Sequence, residues 1–184
     1  MKRFILTGAP GSGKTAVLRQ LELDGFSVVE EAATDVIALA QAQGLSEPWT
    51  HPPFIDSVAD LQRRRQLCAS CEPDGIQFHD RSAVCTAALA EYLGHPFSDL
   101  LSCELKRIET EAIFQKQVFL IRNLGFITPT EARRISFEES QRFERIHEKI
   151  YRRFGFEIVS VEAGTLSDRV AAIKAALMLP GDRE

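Results

Sequence analysis

Long apolar runs are missing from this sequence. The longest run is five residues, as in Ala175–Leu179, whereas a membrane-spanning helix needs about 20. The N-terminal apolar stretch, Phe4–Leu6, is too short for the core of a signal peptide. We therefore expect a cytoplasmic protein with no membrane partner.

Cysteine is also scarce, with only four residues, Cys68, Cys71, Cys85 and Cys103. In the cytosol such thiols are expected to be reduced. Cys68 and Cys71 form a CxxC pair, but no second pair of ligands follows, and a structural zinc site needs about four. We expect free thiols one helical turn apart; a metal or redox role is the alternative.

An excess of positive charge is absent. Lysine and arginine number 22 against 26 acidic residues, which gives a net charge of −4 and a pI near 5.7. General electrostatic capture of nucleic acid is therefore not expected, although a local basic pocket for a small anion is compatible with this balance. The length of 184 residues, with 45% apolar and 26% charged residues, fits one globular domain spanning residues 1–184.

Short apolar segments alternate with longer amphipathic ones along the whole chain. The first kind suits buried strands and the second suits helices, so the order predicts βαβ units with a parallel sheet of about five strands in a three-layer α/β sandwich. The expected strands are Arg3–Thr7, Phe26–Glu30, Gly75–Asp80, Gln117–Ile121 and Phe156–Val161. The expected helices are Lys14–Leu23, Ala32–Gln43, Ile55–Cys68, Ala83–Leu93, Leu100–Gln115, Phe137–Phe154 and Ser167–Leu179.

Two polar, turn-rich segments are too long for simple connections. They are Gly44–Phe54 and Asn123–Ser136. Long loops in compact domains are usually lids or binding loops, and we interpret residues 123–136 as a lid.

Directly after the first strand stands GAPGSGKT, Gly8–Thr15, which fits G-x-x-x-x-G-K-[ST] at every fixed position. This is the pattern of a phosphate-binding loop (P-loop). Its glycines allow positive φ, so that backbone N–H groups converge on phosphate oxygens at a helix N-terminus. The lysine would neutralise the β and γ phosphates, and the threonine hydroxyl would bind Mg²⁺. The candidate nucleotide-binding residues are Gly8, Gly11, Ser12, Gly13, Lys14 and Thr15.

A second magnesium-side carboxylate is expected at the end of a neighbouring buried strand. Asp80 ends the strand IQFHD and is the candidate; its alternative role is to cap the helix that follows. Arg81 comes next, at the edge of the sheet where parallel α/β proteins bind ligands. We expect it to contact phosphate or substrate.

Two glutamates, Glu30 and Glu31, end the second strand. A carboxylate at that edge of the sheet can accept a proton from a substrate hydroxyl. The alternative is that either one only stabilises the first turn of the next helix through its dipole.

Several motifs recur together in the order seen in one known group. They are GAPGSGKT, VVEEAA, Pro48-Trp49, HDRSAV, VFLI, TEARR at Thr130–Arg134, RRFGFEIVSV and SDRV. As a set they resemble the bacterial AAA-type P-loop ATPase/kinase family typified by the ribosylnicotinamide kinase domain of the NAD-biosynthesis regulator. The resemblance covers nearly the whole chain. It implies a kinase-like P-loop fold.

The resemblance also implies roles for individual residues. Asp80 and Arg81 match an Asp-Arg pair that serves magnesium or base chemistry and substrate or phosphate binding. Glu30 or Glu31 matches the acid after the second strand. Arg133 and Arg134 match lid arginines that close over ATP, and Trp49 lies in a segment that often borders the acceptor pocket.

These observations predict an enzyme that binds ATP and Mg²⁺ and transfers the γ-phosphoryl group to a small acceptor, nucleoside-like or otherwise. The alternative is a nucleotide-dependent switch or slow NTPase without an acceptor. The guanine-reading pattern N-K-x-D is absent from the sequence, which favours ATP. We expect a monomer or a small homo-oligomer.

Overall fold

The structure is a computed structural model that describes residues 1–69, 75–125 and 136–178. Its centre is a sheet of five parallel strands in the order β2-β3-β1-β4-β5. All five expected strands are confirmed. They are β1 (Lys2–Thr7), β2 (Ser27–Val29), β3 (Ile76–Asp80), β4 (Gln117–Ile121) and β5 (Glu157–Val161).

Helices alternate with the strands, as the sequence predicts. A short 3-10 helix at Pro48–Thr50 adds one turn ahead of α3. In the described ranges, no helix is long and apolar enough to cross a membrane. The helices are α1 (Lys14–Leu23), α2 (Ala33–Ala42), α3 (Pro53–Cys68), α4 (Ala83–Leu93), α5 (Asp99–Thr110), α6 (Phe137–Arg153) and α7 (Leu166–Met178).

One helix boundary differs clearly from expectation. The segment expected to continue to Gln115 leaves the helix after Thr110, and Ala112 adopts a left-handed φ of 45°. This turn lets Ile113 and Phe114 enter the core, and it brings the Gln115 N–H to the Arg3 carbonyl at 2.8 Å. Packing and a link to β1 therefore override the helical propensity of the segment.

The sheet separates two apolar layers. On one face, α1 and α7 cover a cluster of three phenylalanines, Phe4, Phe78 and Phe119, whose ring centroids lie 5.8–6.2 Å apart. On the other face, α3, α4, α5 and α6 pack around residues such as Ile5 and Val118. This is the expected three-layer α/β sandwich.

The helices that follow the adjacent strands β1 and β3 pack on opposite faces of the sheet. β1 continues into α1 on one side, whereas β3 continues into α4 on the other. Their register places Leu6 opposite Asp80, so both strands end at the same edge. A crevice opens at such a switch point, and parallel sheets bind ligands there.

Candidate active site

The loop between β1 and α1 has positive φ values at its three glycines, as the sequence predicts. Gly8, Gly11 and Gly13 have φ values of 137°, 81° and 81°. A Cβ on Gly8 would lie 2.4 Å from the Ile121 carbonyl oxygen, so this position also needs glycine because the backbone of β4 approaches it closely.

Lys14 begins α1 and is buried despite its charge. Its Nζ donates to the carbonyl oxygen of Ala9 at 3.1 Å, which holds the lysine back across its own loop. Thr15 follows in the first turn and is exposed. Ser12 is fully buried, and its hydroxyl has no hydrogen-bond partner within the described part of the chain. The loop thus places the Lys14 ammonium and the Thr15 hydroxyl at a helix N-terminus, where anions are favoured.

Asp80 lies at the carboxyl end of β3 and is buried. It does not cap α4: Ser82 does, since its hydroxyl accepts from the Val84 N–H at 3.3 Å. The helix-cap alternative for Asp80 is therefore wrong. Its carboxylate is kept at the sheet edge beside β1, the strand that leads into the P-loop.

Arg81 has a left-handed φ of 76°, an unusual conformation for a residue with a side chain. Its N–H bonds the Leu6 carbonyl at 3.0 Å, and its Nε donates to Glu31 Oε1 at 2.9 Å. Burial acts to lower the pKa of the guanidinium, but Glu31 and other nearby groups outweigh this and raise it. Such a backbone costs on the order of 1–3 kcal/mol and is typical of functional sites.

The two adjacent glutamates occupy different environments. Glu31 bonds Arg81 through one oxygen and accepts from the Thr34 hydroxyl at 3.0 Å through the other. Glu30 points to the surface, where it pairs with Arg19 and is half exposed. Of the two glutamates, Glu31 is the one whose carboxylate pairs with Arg81.

His147 of α6 lies against Arg81 and is fully buried. Its Nδ1 donates to the Phe143 carbonyl at 2.9 Å, so Nε2 is the acceptor for the Arg81 guanidinium at 3.2 Å. Burial lowers the pKa of His147 to about 3, and the positive charges of Arg81 and Lys14 contribute. The imidazole is therefore neutral at pH 7 and supports Arg81 as an acceptor.

This neutral histidine predicts a pH-dependent stability. The unfolded chain binds a proton on His147 below about pH 6.5, while the folded protein does not until about pH 3. The stabilisation is complete above pH 6.5 and is lost as the pH falls toward 3. His79, whose pKa burial also lowers to about 3, adds to it. We expect the free energy of unfolding, measured by urea denaturation, to fall below pH 6.5 with a slope approaching about 1.4 kcal/mol per pH unit per histidine.

The variant His147→Gln should reduce this slope by the contribution of one bound proton, about 1.4 kcal/mol per pH unit. Val161→Ala is the matched control, because it removes packing from β5 but keeps both histidines. An unchanged slope in His147→Gln would show that His147 does not cause the pH dependence.

Behind Arg81 lies a buried cluster of hydroxyl and thiol groups. The Tyr151 hydroxyl lies 2.9 Å from Cys85 Sγ and 3.2 Å from Ser82 Oγ, and Cys85 Sγ lies 3.2 Å from Thr7 Oγ1. Burial raises the pKa of Tyr151 well above its usual value. The cluster joins the ends of β1, α4 and α6 without a charge, so it fixes the floor of the crevice.

A cavity of about 330 Å³ begins at Pro10 of the P-loop and extends between α2, α3, α4 and α6. Glu31 and Arg81 line it, as do Trp49 and Phe54. Deeper polar groups include Gln62, whose side-chain oxygen accepts from the Thr86 hydroxyl at 2.7 Å. The volume is at the lower end of the range for small-molecule sites. The remaining wall is largely apolar and aromatic, with Ile37, Val58, Leu89, Tyr92, Leu93 and Phe143.

Part of the expected site lies outside the described residues. This applies to Arg133 and Arg134 and to most of the lid at 123–136, as well as to Cys71. Among the described cysteines, Cys68 and Cys103 are exposed free thiols, and Cys85 is buried.

Two site residues escaped the sequence analysis. His147 lies on the apolar stripe of α6 with Phe143 and Ile150, so its burial follows from helical periodicity, but its contact with Arg81 does not. Arg169 of α7 belongs to the SDRV motif, to which the sequence assigned no role, and it reaches the P-loop from 157 residues away in sequence.

A family model described as an AAA domain matches residues 3–169. The chain belongs to this AAA-domain family. The match spans β1 to the start of α7 and includes both the P-loop and the Asp80-Arg81 pair. No curated protein shows a significant match to the sequence.

Solved structures share the fold of this AAA-domain protein. Deoxyadenosine kinase from M. mycoides, with products dCMP and a flexible dCDP bound, has a TM-score of 0.65 at 12% identity over 95% of this chain and 97% of its own. NadR protein in complex with NR has a TM-score of 0.66 at 21% identity over 99% of this chain and 52% of its own. NadR in complex with NAD and AMP-PNP has a TM-score of 0.63 at 20% identity, and the chain again spans only half of it. These likenesses confirm the kinase-like P-loop fold.

Proposed function

We propose that this AAA-domain protein is a small-molecule kinase that transfers the γ-phosphoryl group of ATP to a hydroxyl of a nucleoside-like acceptor. The observation that carries the proposal is the cavity beside the P-loop, which has Pro10 at its rim and Glu31 and Arg81 in its wall. A switch needs a phosphate cradle and one responsive loop, whereas a kinase also needs a second site in line with the γ-phosphate.

The nucleotide phosphates would lie against the backbone N–H groups of the loop between Gly8 and Thr15. The positive φ of Gly8, Gly11 and Gly13 and the burial of Lys14 fit this assignment. Lys14 would exchange its bond to the Ala9 carbonyl for the phosphate oxygens. A charged donor inside a protein stabilises transferring charge more strongly than it would in water.

The donor set near the loop suits Mg²⁺, because Thr15 offers a hydroxyl and Asp80 a carboxylate, both hard oxygen ligands. Clusters of three or more His, Cys, Asp or Glu suited to a metal are absent from the described residues, but magnesium in nucleotide sites needs only one or two protein ligands. The ion, when bound, would neutralise charge between the β- and γ-phosphates.

Glu31 is the proposed base. Glu31 lines the cavity, and a carboxylate can accept the proton of an acceptor hydroxyl. The acceptor oxygen then bonds to the γ-phosphorus as the bond to the β-phosphate oxygen breaks, and ADP leaves. Arg81, which is locked by Glu31 and His147, would orient the acceptor beside the phosphate.

The charge of the cavity favours a neutral acceptor over a phosphorylated one. Of the described residues that line it, Arg81 is the only cation, and Glu31 already pairs with it. Glu139 adds a second acid at the wall. The aromatic wall suits a flat ring, and the fold neighbours include a deoxyadenosine kinase and NadR with NR bound.

The test is phosphoryl transfer from labelled ATP with Mg²⁺ to a panel of nucleosides, nucleotides and simple alcohols. We expect a nucleoside to accept the label and to raise ATP turnover. Slow hydrolysis that no acceptor accelerates would instead favour the switch.

Acceptor binding should change the fluorescence of the protein, because Trp49 is its only tryptophan and lies in the cavity wall. We expect a saturable change in emission when the acceptor from the panel is added without ATP. Phe54→Leu should weaken binding several-fold by removing an aromatic wall. Leu100→Ala is the control, because Leu100 is exposed on α5 and is not part of the lining. Saturable binding without any fluorescence change would place the acceptor elsewhere.

A further inference from the structure

Arg169 lies on α7 but its guanidinium contacts the P-loop. Its side chain is buried, and the residue is only 4% exposed. One terminal nitrogen, Nη2, donates to the Ser12 carbonyl at 2.6 Å and to the Arg122 carbonyl at 3.2 Å. The guanidinium therefore joins the loop after β1 to the end of β4.

The bond to Ser12 fixes the direction of one peptide group in the P-loop. In a trans peptide, the carbonyl of Ser12 and the N–H of Gly13 point in opposite directions. Because Arg169 holds the carbonyl toward α7, the N–H is directed to the other side of the loop. Without this bond, the Ser12–Gly13 peptide group could rotate and direct its carbonyl oxygen toward a bound anion, and the oxygen would repel the anion.

The guanidinium also fills the space beside Gly13. A Cβ at Gly13 would lie 2.8 Å from Arg169 Nη1, and φ at Gly13 is 81°. The glycine and the arginine thus form one close-packed unit immediately before Lys14.

The positive charge of Arg169 has no carboxylate partner among the described residues, whose ion pairs do not include it. Both of its acceptors are neutral carbonyls, and burial lowers its pKa. A buried charge without a counter-ion is costly. An anion bound at the adjacent loop would reduce that cost.

We propose that Arg169 is a positioning residue for phosphate binding: it holds the Ser12–Gly13 peptide in its anion-binding orientation and adds an uncompensated positive charge behind the P-loop. The bound phosphates are the counter-charge. This inference rests on the proposed function only in taking nucleotide phosphate as the ligand.

The test compares Arg169→Met, Arg169→Lys and Ile173→Val. Arg169→Met removes the charge. Arg169→Lys keeps the charge but loses the planar guanidinium with its several N–H donors. Ile173→Val is a packing control at a fully buried site on the same helix. Two probes are titrated by calorimetry, ATP with Mg²⁺ and inorganic tripolyphosphate alone. We expect Arg169→Met to raise both dissociation constants roughly tenfold or more, Arg169→Lys to be intermediate, and Ile173→Val to match the wild type.

Salt dependence separates this role from simple structural support. Affinity should fall with added salt less steeply in Arg169→Met than in wild type, and the steeper dependence should return in Arg169→Lys. Dissociation constants within twofold of wild type, with an unchanged salt dependence, would overturn the inference. Tripolyphosphate binding that depends on Arg169, in a protein that transfers no phosphoryl group, would support it and refute only the kinase assignment.

A measurement on the wild-type protein covers the case in which Arg169→Met does not fold. The guanidinium ¹⁵N signals of Arg169, assigned by their loss in Arg169→Lys, should shift when tripolyphosphate is added. Signals that stay in place at saturation would contradict the proposal.

Discussion

Replacing Lys14 with methionine is expected to reduce turnover by about 100-fold or more and to weaken ATP binding, while the fold is retained. Methionine keeps the apolar stem but removes the ammonium group that the P-loop holds against the Ala9 carbonyl at 3.1 Å. The charge that builds on the transferring group would then have no lysine beside it. Turnover is measured by the transfer assay, ATP binding by calorimetry, and folding by circular dichroism.

Lys106→Met is the matched control, because Lys106 is exposed on α5, away from the P-loop. It removes the same charge from the protein and should leave ATP affinity unchanged. An ATP affinity in Lys14→Met equal to that of the wild type would refute the assignment of the nucleotide site.

The second large effect is expected for Glu31→Gln. The amide keeps the size of the side chain and can still accept a hydrogen bond from Arg81, but it cannot take the acceptor proton. We expect kcat to fall by about 10²–10⁴-fold, the usual contribution of general base catalysis. The dissociation constant of ATP should change little, since Glu31 lines the proposed acceptor cavity.

Glu30→Gln provides an unusually close control, one residue away in sequence. Glu30 pairs with Arg19 at the surface and is outside the cavity lining, so kcat should stay near the wild-type value. Equal losses in the two variants would mean that neither glutamate acts as the base. A loss of kcat in Glu30→Gln alone would identify Glu30 as the base and contradict the assignment of Glu31.

Local patterns were sufficient to predict the strands, most helix boundaries and the P-loop. Short, largely apolar segments predict buried strands, and GAPGSGKT is specific because each fixed position has a separate physical reason. The choice between Glu30 and Glu31 was beyond sequence analysis. Consecutive residues at a strand end point in opposite directions, and only the structure shows which one pairs with Arg81.

The helix-cap alternative for Asp80 failed for a local reason. Both Asp80 and Ser82 are good capping residues, and the left-handed turn at Arg81 puts Ser82 at the cap. The contacts of His147 with Arg81, and of Arg169 with Ser12, join residues 66 and 157 positions apart. Such contacts depend on how the layers pack, which no local spacing encodes.

Arg81 has a thermodynamic consequence for the proposed transfer between two substrates. Its backbone N–H bonds Leu6, two residues before the P-loop, while its side chain bonds Glu31 and lines the proposed acceptor cavity. Arg81 thus contacts the strand that leads into the P-loop through its backbone and the proposed acceptor cavity through its side chain, so we expect a ligand that moves the whole residue to affect both sites. By thermodynamic linkage, each substrate must change the affinity of the protein for the other by the same factor. The strained turn at Arg81 is thus where cooperativity between the two substrates should originate, and exchanging the order of addition should leave the coupling free energy unchanged.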